Sequence, residues 1–207
     1  MSKKEYILEK AEALFAEKGF DATSVRDIAK EAGINIAMIS YYFGSKDKLM
    51  EALFKMRMTI GLTYIKEIAE NPDLNIVQKI EKLLSGYVER VCVNVKFYKV
   101  ILAEQGTNKN RNILKFLNKS KETYASFFDM LLNQGYKEGV FTKKVDTIFF
   151  MTTVTGTIMQ SILNKHLYAE YYGAKVSKEW IRDVYFVKVK EHLQTITKSI
   201  LGYEQKN

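Results

Sequence analysis

A single proline, Pro72, stands among 207 residues, and only eleven glycines accompany it. Proline removes a backbone donor and glycine costs conformational entropy in a helix, so a chain this poor in both favours long helices. Hairpin signals such as Asn-Gly are missing, and no pair of strands declares itself. Apolar residues recur at helical spacing instead, beginning with Ile7, Ala11, Leu14 and Phe15 between lysines and glutamates. The predicted fold class is all-α.

The breakers and caps divide the chain. A helix over 3–18 ends at Gly19, and Asp21-Ala22-Thr23-Ser24 forms a turn. Ser24 with Asp27 three residues on resembles a capping box for a helix from Val25 to about Ala32. Gly33-Ile34 turns tightly, Asn35 caps a helix over 36–43, and Gly44-Ser45 breaks the chain before a helix over 46–70 that Asn71-Pro72-Asp73 stops. Beyond it, Asn75 starts a helix carrying Ile76, Ile80, Leu83 and Tyr87, and the next carries Phe97, Tyr98 and Ile101 up to Gly106-Thr107-Asn108. Helices follow at 111–134, at 145–166 and, as one last long helix, at 178–201, with Gly135 and Gly139 bracketing a short turn. The 145–166 segment is too rich in Thr, Phe and Met to read as a surface helix. The boundary between a small head, 1–48, and a larger body, 49–207, falls inside the fourth helix, and a continuous helix can transmit motion where a flexible linker cannot.

Composition excludes several classes of function. Hydrophobic residues make up 47%, enough to bury a core. The lone Cys92 can form neither an internal disulfide nor a Cys-rich zinc site, and no cofactor is expected. The polar start lacks the apolar core of a signal peptide, and no run of 18 apolar residues exists, so the expectation is a soluble cytoplasmic protein. His166 and His192 lie on separate helices, and no phosphate loop, HExxH or nucleophile elbow is present, which points away from an enzyme. The net charge of +8 suits a polyanionic partner, yet residues 1–48 hold eight Lys/Arg and eight Asp/Glu, so charge alone does not locate a binding surface.

The stretch Val25–Gly44 does. Ala29 stands where two helices must approach closely, Gly33 where the chain must turn with positive φ, and Ile28, Ala32, Ile34 and Ile39 are the apolar lock between them. That is the recipe of a helix-turn-helix, and its parts occur in register within twenty residues.

Three segments carry a closer likeness: Ala13-Leu14-Phe15-Ala16-Glu17-Lys18-Gly19-Phe20, Thr23-Ser24-Val25-Arg26-Asp27-Ile28-Ala29-Lys30-Glu31-Ala32-Gly33-Ile34, and Ile39-Ser40-Tyr41-Tyr42-Phe43-Gly44-Ser45-Lys46-Asp47-Lys48-Leu49. Together they resemble the N-terminal domain of the tetracycline-repressor (TetR) family over about residues 6–50. The resemblance implies a homodimer of helical subunits, each with a three-helix DNA-binding domain and a larger C-terminal helical body for effector binding and dimerisation. Its partners would be double-stranded DNA with a palindromic operator and an unidentified small-molecule effector that releases the DNA, so that the chain acts as a repressor in transcription regulation.

On that footing the recognition helix presents Asn35, Ile36, Ala37, Met38, Ser40, Tyr41 and Tyr42, while Ile39 and Phe43 face inward. Ile36 departs from the polar or basic residue that relatives often carry and suits a thymine methyl. Tyr41 and Tyr42 match the family's aromatic pair, Lys46 its phosphate-contacting lysine, and Ser24 and Arg26 stand at the start of the preceding helix. Tyr41 and Tyr42 taken alone also suit a core, Lys46 a solvated surface, and Ser24 and Asn35 are caps first. In the body, Tyr87, Phe97, Phe127, Met130, Phe150, Thr155 and Met159 are candidates to line an apolar pocket for an aromatic or lipophilic ligand, although most such residues simply build a core. The last two long helices are the dimer surface that the resemblance implies. Two other readings stay open: a helical protein acting through a protein partner, and a small-molecule binder or enzyme with a vestigial head.

Overall fold

The computed structural model describes residues 2–107 and 110–203. Among these, every regular element is helical: α1 (Lys3–Lys18), α2 (Val25–Glu31), α3 (Ile36–Phe43), α4 (Lys46–Glu70), α5 (Ile76–Val93), α6 (Val95–Thr107), α7 (Arg111–Lys137), α8 (Thr147–Tyr171), α9 (Lys178–Trp180), a π-helical segment (Ile181–Tyr185) and α10 (Phe186–Leu201). The fold is all-α, with an N-terminal helix-turn-helix and a helical C-terminal part. The chain divides into two compact units, one of residues 1–61 and 95–121, the other of 62–94 and 122–207.

The first unit builds its core from α1, α2, α3, the start of α4, α6 and the start of α7. Ile7, Ala11 and Phe15 of α1 meet Ile28 of α2, Ile39 and Phe43 of α3, and Leu49, Met50, Leu53 and Phe54 of α4. Phe97, Val100 and Ile101 of α6 and Ile113 and Leu117 of α7 close the same cluster. A largely buried ion pair ties α4 to α1 in this unit: Arg57 Nε donates to Glu12 Oε2 at 2.8 Å, with the two side chains only 19% and 7% exposed.

The second unit packs α5 against α10 and α8. Ile80, Leu83, Leu84, Val88 and Val91 are buried on α5, Val154, Ile158 and Ile162 on α8, and Val189 and Leu193 on α10. Three details differ from the sequence reading. Gly135 does not open a turn: α7 runs through it to Lys137, and a Cβ there would clash with the Phe141 ring, so the glycine admits an aromatic against the helix. The turn falls at Gly139, whose φ is +72°. The last helix is not uniform either, because the Phe186 N–H bonds back to Ile181 O, five residues away. That widened turn accompanies a stack of Trp180 on Tyr185, with ring centroids 5.5 Å apart. Finally, α8 is not fully buried: Ile148, Phe149, Leu163, Leu167 and Tyr171 are 57–80% exposed in the single chain.

Removing one partner of a buried ion pair leaves the other charge without compensation. Arg57→Ala is therefore expected to lower stability by about 3 kcal/mol in urea unfolding, and the double replacement Glu12→Leu with Arg57→Met is expected to cost less than that single change.

Candidate nucleic-acid interface

The crossing of α2 and α3 is set by backbone geometry. Gly33 adopts φ +62°, a region that L side chains rarely occupy, and its N–H bonds to Lys30 O at 3.1 Å. The Ile34 N–H bonds to Ala29 O at 3.0 Å, and Ala29 and Ala32 are buried at the approach of the two helices. Ile39 and Phe43 pin α3 to the core at 1% and 6% exposure. With that face fixed, the 3.6-residue period places Ile36, Ala37, Ser40 and Tyr41 on the opposite face, all exposed. Tyr41 is 83% exposed and sets its ring edge-on to Tyr42 at 5.2 Å. Met38 and Tyr42 are half-buried, and the Tyr42 ring leans on Phe43 at 6.2 Å.

The caps decide which polar groups remain available. Asn35 Oδ1 accepts the Ala37 N–H at 2.8 Å, so the oxygen is spent on starting α3. Ser24 is engaged more completely. Its hydroxyl accepts the Asp27 N–H at 3.1 Å and donates to Asp27 Oδ2 at 2.5 Å, while its own N–H reaches the same oxygen at 2.8 Å. These bonds, the Ser24 hydroxyl first and its N–H second, hold the Asp27 carboxyl below the usual carboxylate range. Arg26 is exposed in the first turn of α2.

Lys46 stands elsewhere than in open solvent. Its Nζ donates to Phe20 O at 2.8 Å and to Thr23 O at 2.9 Å, and it lies 4.2 Å from the centroid of the Phe20 ring. Nothing in the sequence motif marked those carbonyls as its partners, because they come from a turn 23–26 residues away.

The seven residues considered for a ligand pocket do not form one group. Phe97 is 3% exposed and meets Phe54 edge-to-face at 5.2 Å in the core of the first unit. The other six belong to the second unit. Phe150 is buried and tilts against Phe128 at 6.1 Å, and the Thr155 hydroxyl is spent on Met151 O at 2.7 Å. Tyr87, Phe127 and Met159 are half-buried, and Met130 is 49% exposed. A cavity of about 340 Å³ in the second unit is lined by Tyr64, Gln78, Glu81, Ser85, Glu89 and Gln194 among others. Another of about 560 Å³ in the first unit lies between the Lys18–Ala22 turn, Asp47, Glu104 and Arg111. Both are more polar than the pocket expected from the aromatic residues, and neither touches any of the seven. Among the described residues no three His, Cys, Asp or Glu side chains cluster as a metal site, and no helix is long and apolar enough to cross a membrane.

Residues 7–53 match the model of the bacterial regulatory proteins of the tetR family. A Bacillus subtilis protein named "Probable HTH-type transcriptional regulator YttP" is 57% identical over 53 residues, a match spanning 26% of either chain. The HTH-type transcriptional repressor KstR2 of Mycobacterium tuberculosis is 25% identical over 164 residues, covering 78% of this chain and 80% of that one. Its solved structure, described as a ketosteroid transcriptional regulator, superposes with a TM-score of 0.70 at 22% identity, over 92% of this chain and 94% of that one. The transcriptional regulator FadR of Bacillus subtilis, solved in complex with stearoyl-CoA, gives 0.71 at 20% identity, over 97% and 99% of the two chains. At such identities the superpositions show the fold.

The Ser24–Asp27 box carries its own pH signature. A carboxyl held low in the folded state adds stability above its ordinary value of 3.8 and loses it as pH falls through the lowered one. Ser24→Ala is expected to lower the urea midpoint at pH 7, and the gap to the parent protein is expected to narrow, to the part due to the hydroxyl's cap bond, as the titration is carried below that value.

Proposed function

We propose, for a chain whose residues 7–53 match the model of the bacterial regulatory proteins of the tetR family, the work of a sequence-specific DNA-binding transcriptional regulator: a homodimeric repressor in the cytoplasm that leaves a palindromic operator when a small ligand binds. The observation that carries this reading is the outward face of α3, where Ile36, Ala37, Ser40 and Tyr41 are exposed while Ile39 and Phe43 hold the helix in place. The major groove of duplex DNA admits one α-helix. In it, Ile36 and Ala37 offer apolar contact to a thymine methyl, and the Tyr41 hydroxyl and Arg26 reach for phosphate. Asn35 keeps its amide N–H groups for a base or phosphate, its oxygen being used by the cap. No Lys or Arg lies within α3, so guanine readout is modest and DNA shape supplies a share of the specificity.

Dimerisation is supported by the apolar stripe left bare on α8. Ile148, Leu163, Leu167 and Tyr171 recur at spacings of three or four residues or their multiples, and Val184 and Val187 are 43% and 41% exposed on the following helix. Bare apolar surface of this kind favours self-pairing with a second copy. The dimer would present its two recognition helices about 34–36 Å apart, one turn of DNA.

The effector is proposed as a lipophilic molecule. KstR2 is described as a ketosteroid regulator and FadR was solved with stearoyl-CoA, both hydrocarbon-rich. Tyr87, Phe127, Met130, Phe150, Thr155 and Met159 in the second unit remain its proposed contacts. Ligand binding would displace α4, and a coupling of about 1–3 kcal/mol would change DNA affinity by about 5- to 150-fold.

Selection of bound duplexes from a random pool tests the reading. A palindrome is expected to emerge, and Tyr41→Ala is expected to bind it about tenfold more weakly, through the lost charge-assisted hydrogen bond, with an unchanged Tm because the side chain is exposed. Leu167→Glu is expected to sediment as a monomer and to lose the palindrome. A parent protein that enriches nothing at low salt would sink the proposal and bring forward action through a protein partner.

A further inference from the structure

We propose that Lys46 is a positioning residue of the reading head: its ammonium ties the first turn of α4 to the α1–α2 turn, and DNA phosphate is not its principal partner. The inference rests on the DNA-binding reading for its consequence, and on the chain's own geometry for its substance.

A lysine ammonium has three hydrogens to donate. Two are committed to Phe20 O at 2.8 Å and Thr23 O at 2.9 Å. The face of the Phe20 ring, 4.2 Å away, adds an attraction between the cation and the ring's negative quadrupole. The side chain is half-buried over that turn.

The turn it holds has ties of its own. The Thr23 N–H reaches the same Phe20 O at 3.2 Å, and the buried Thr23 hydroxyl donates to Gly19 O at 2.7 Å. The next residue is Ser24, whose box starts α2. Lys46 therefore sets where α2 begins, and through the α2–α3 lock, where the outward face of α3 points.

A second tie lies on the same face of α4. Arg57 follows Lys46 by eleven residues, which is three turns of helix plus about 20°, and it pairs with Glu12 of α1. Met50, Leu53 and Phe54, all at 0% exposure, fill the seam between the two cations. The register of α4 on the head is thus fixed by an apolar seam with a charged anchor at either end. A translation of α4 by even part of a turn must carry the α1–α2 turn along or break the Lys46 bonds.

Two measurements separate this role from a phosphate contact. The first is amide hydrogen exchange on the protein without DNA, in Lys46→Met. The Thr23 and Ser24 amides are expected to exchange about tenfold faster, with α5 and α10 unchanged. The second is the salt dependence of binding to the selected duplex. A lysine that neutralises one phosphate contributes about 0.9 to the slope of log K against log salt. Lys46→Met is expected to bind more weakly with the parent slope. A slope smaller by about 0.9 overturns the proposal, and so does an unchanged exchange pattern. Lys46→Gln, which also removes the charge, gives the same two readouts should Lys46→Met fail to fold: faster turn exchange and weaker binding at the parent slope support the proposal, and parent-like exchange or a slope smaller by about 0.9 opposes it. If the parent binds no duplex at all, the DNA reading fails, and the exchange measurement still decides whether Lys46 holds the turn.

Discussion

Between Glu31 and Ile36 the chain turns from α2 into α3 in four residues, and the turn works only because Gly33 takes φ +62°. No neighbour crowds a Cβ there, so the requirement is conformational and does not come from lack of space. Once the turn is made, α2 and α3 approach over Ala29 and Ala32, and Ile28, Ile39 and Phe43 have one place to be buried. The helical period then leaves Ile36, Ala37, Ser40 and Tyr41 no choice but to face out. The reading surface follows from the packing by subtraction: what the core does not take, the groove can.

The distribution of charge changes meaning once the units are known. Residues 1–61 hold ten Lys/Arg against nine Asp/Glu, and residues 95–121 hold seven against one. Because α6 and the start of α7 fold into the unit that contains the head, that unit carries +7 of the chain's +8. The nearly neutral head motif is thereby set in a strongly basic unit, with Lys96, Lys99, Arg111 and Lys115 on its surface. Such a field draws a polyanion in without specifying sequence, and in the proposed function α3 does the discriminating.

Local rules were legible in the sequence and long-range ones were not. The caps at Ser24, Asn35 and Asn75, the glycine turns, the inward pair Ile39 and Phe43 and most helix bounds follow from neighbours within four residues, and the structure has them. Gly135 reads as a break because its partner, the Phe141 ring, lies beyond the helix end and is not implied by local pattern. Phe97 reads as pocket lining because an aromatic on an apolar face looks the same whether it meets a ligand or Phe54. Lys46 reads as a surface cation because its acceptors are main-chain carbonyls, which every residue type supplies and no motif records. The π turn at Ile181–Tyr185 lacks a proline or glycine to announce it.

What α4 does in the first unit bears on how the head can respond at all. A seam of Met50, Leu53 and Phe54 alone would tolerate sliding, since apolar contacts are non-directional and one buried methylene replaces another at little cost. Hydrogen bonds and ion pairs tolerate it poorly: the Arg57–Glu12 bond at 2.8 Å and the two Lys46 bonds have narrow distance windows, and a buried charge that loses its partner is penalised heavily. Polar anchors at both ends of an apolar seam therefore convert a continuous motion into a choice between registers. A helix held in that way delivers a discrete change to the turn that carries α2, which is what a switch between two DNA affinities requires.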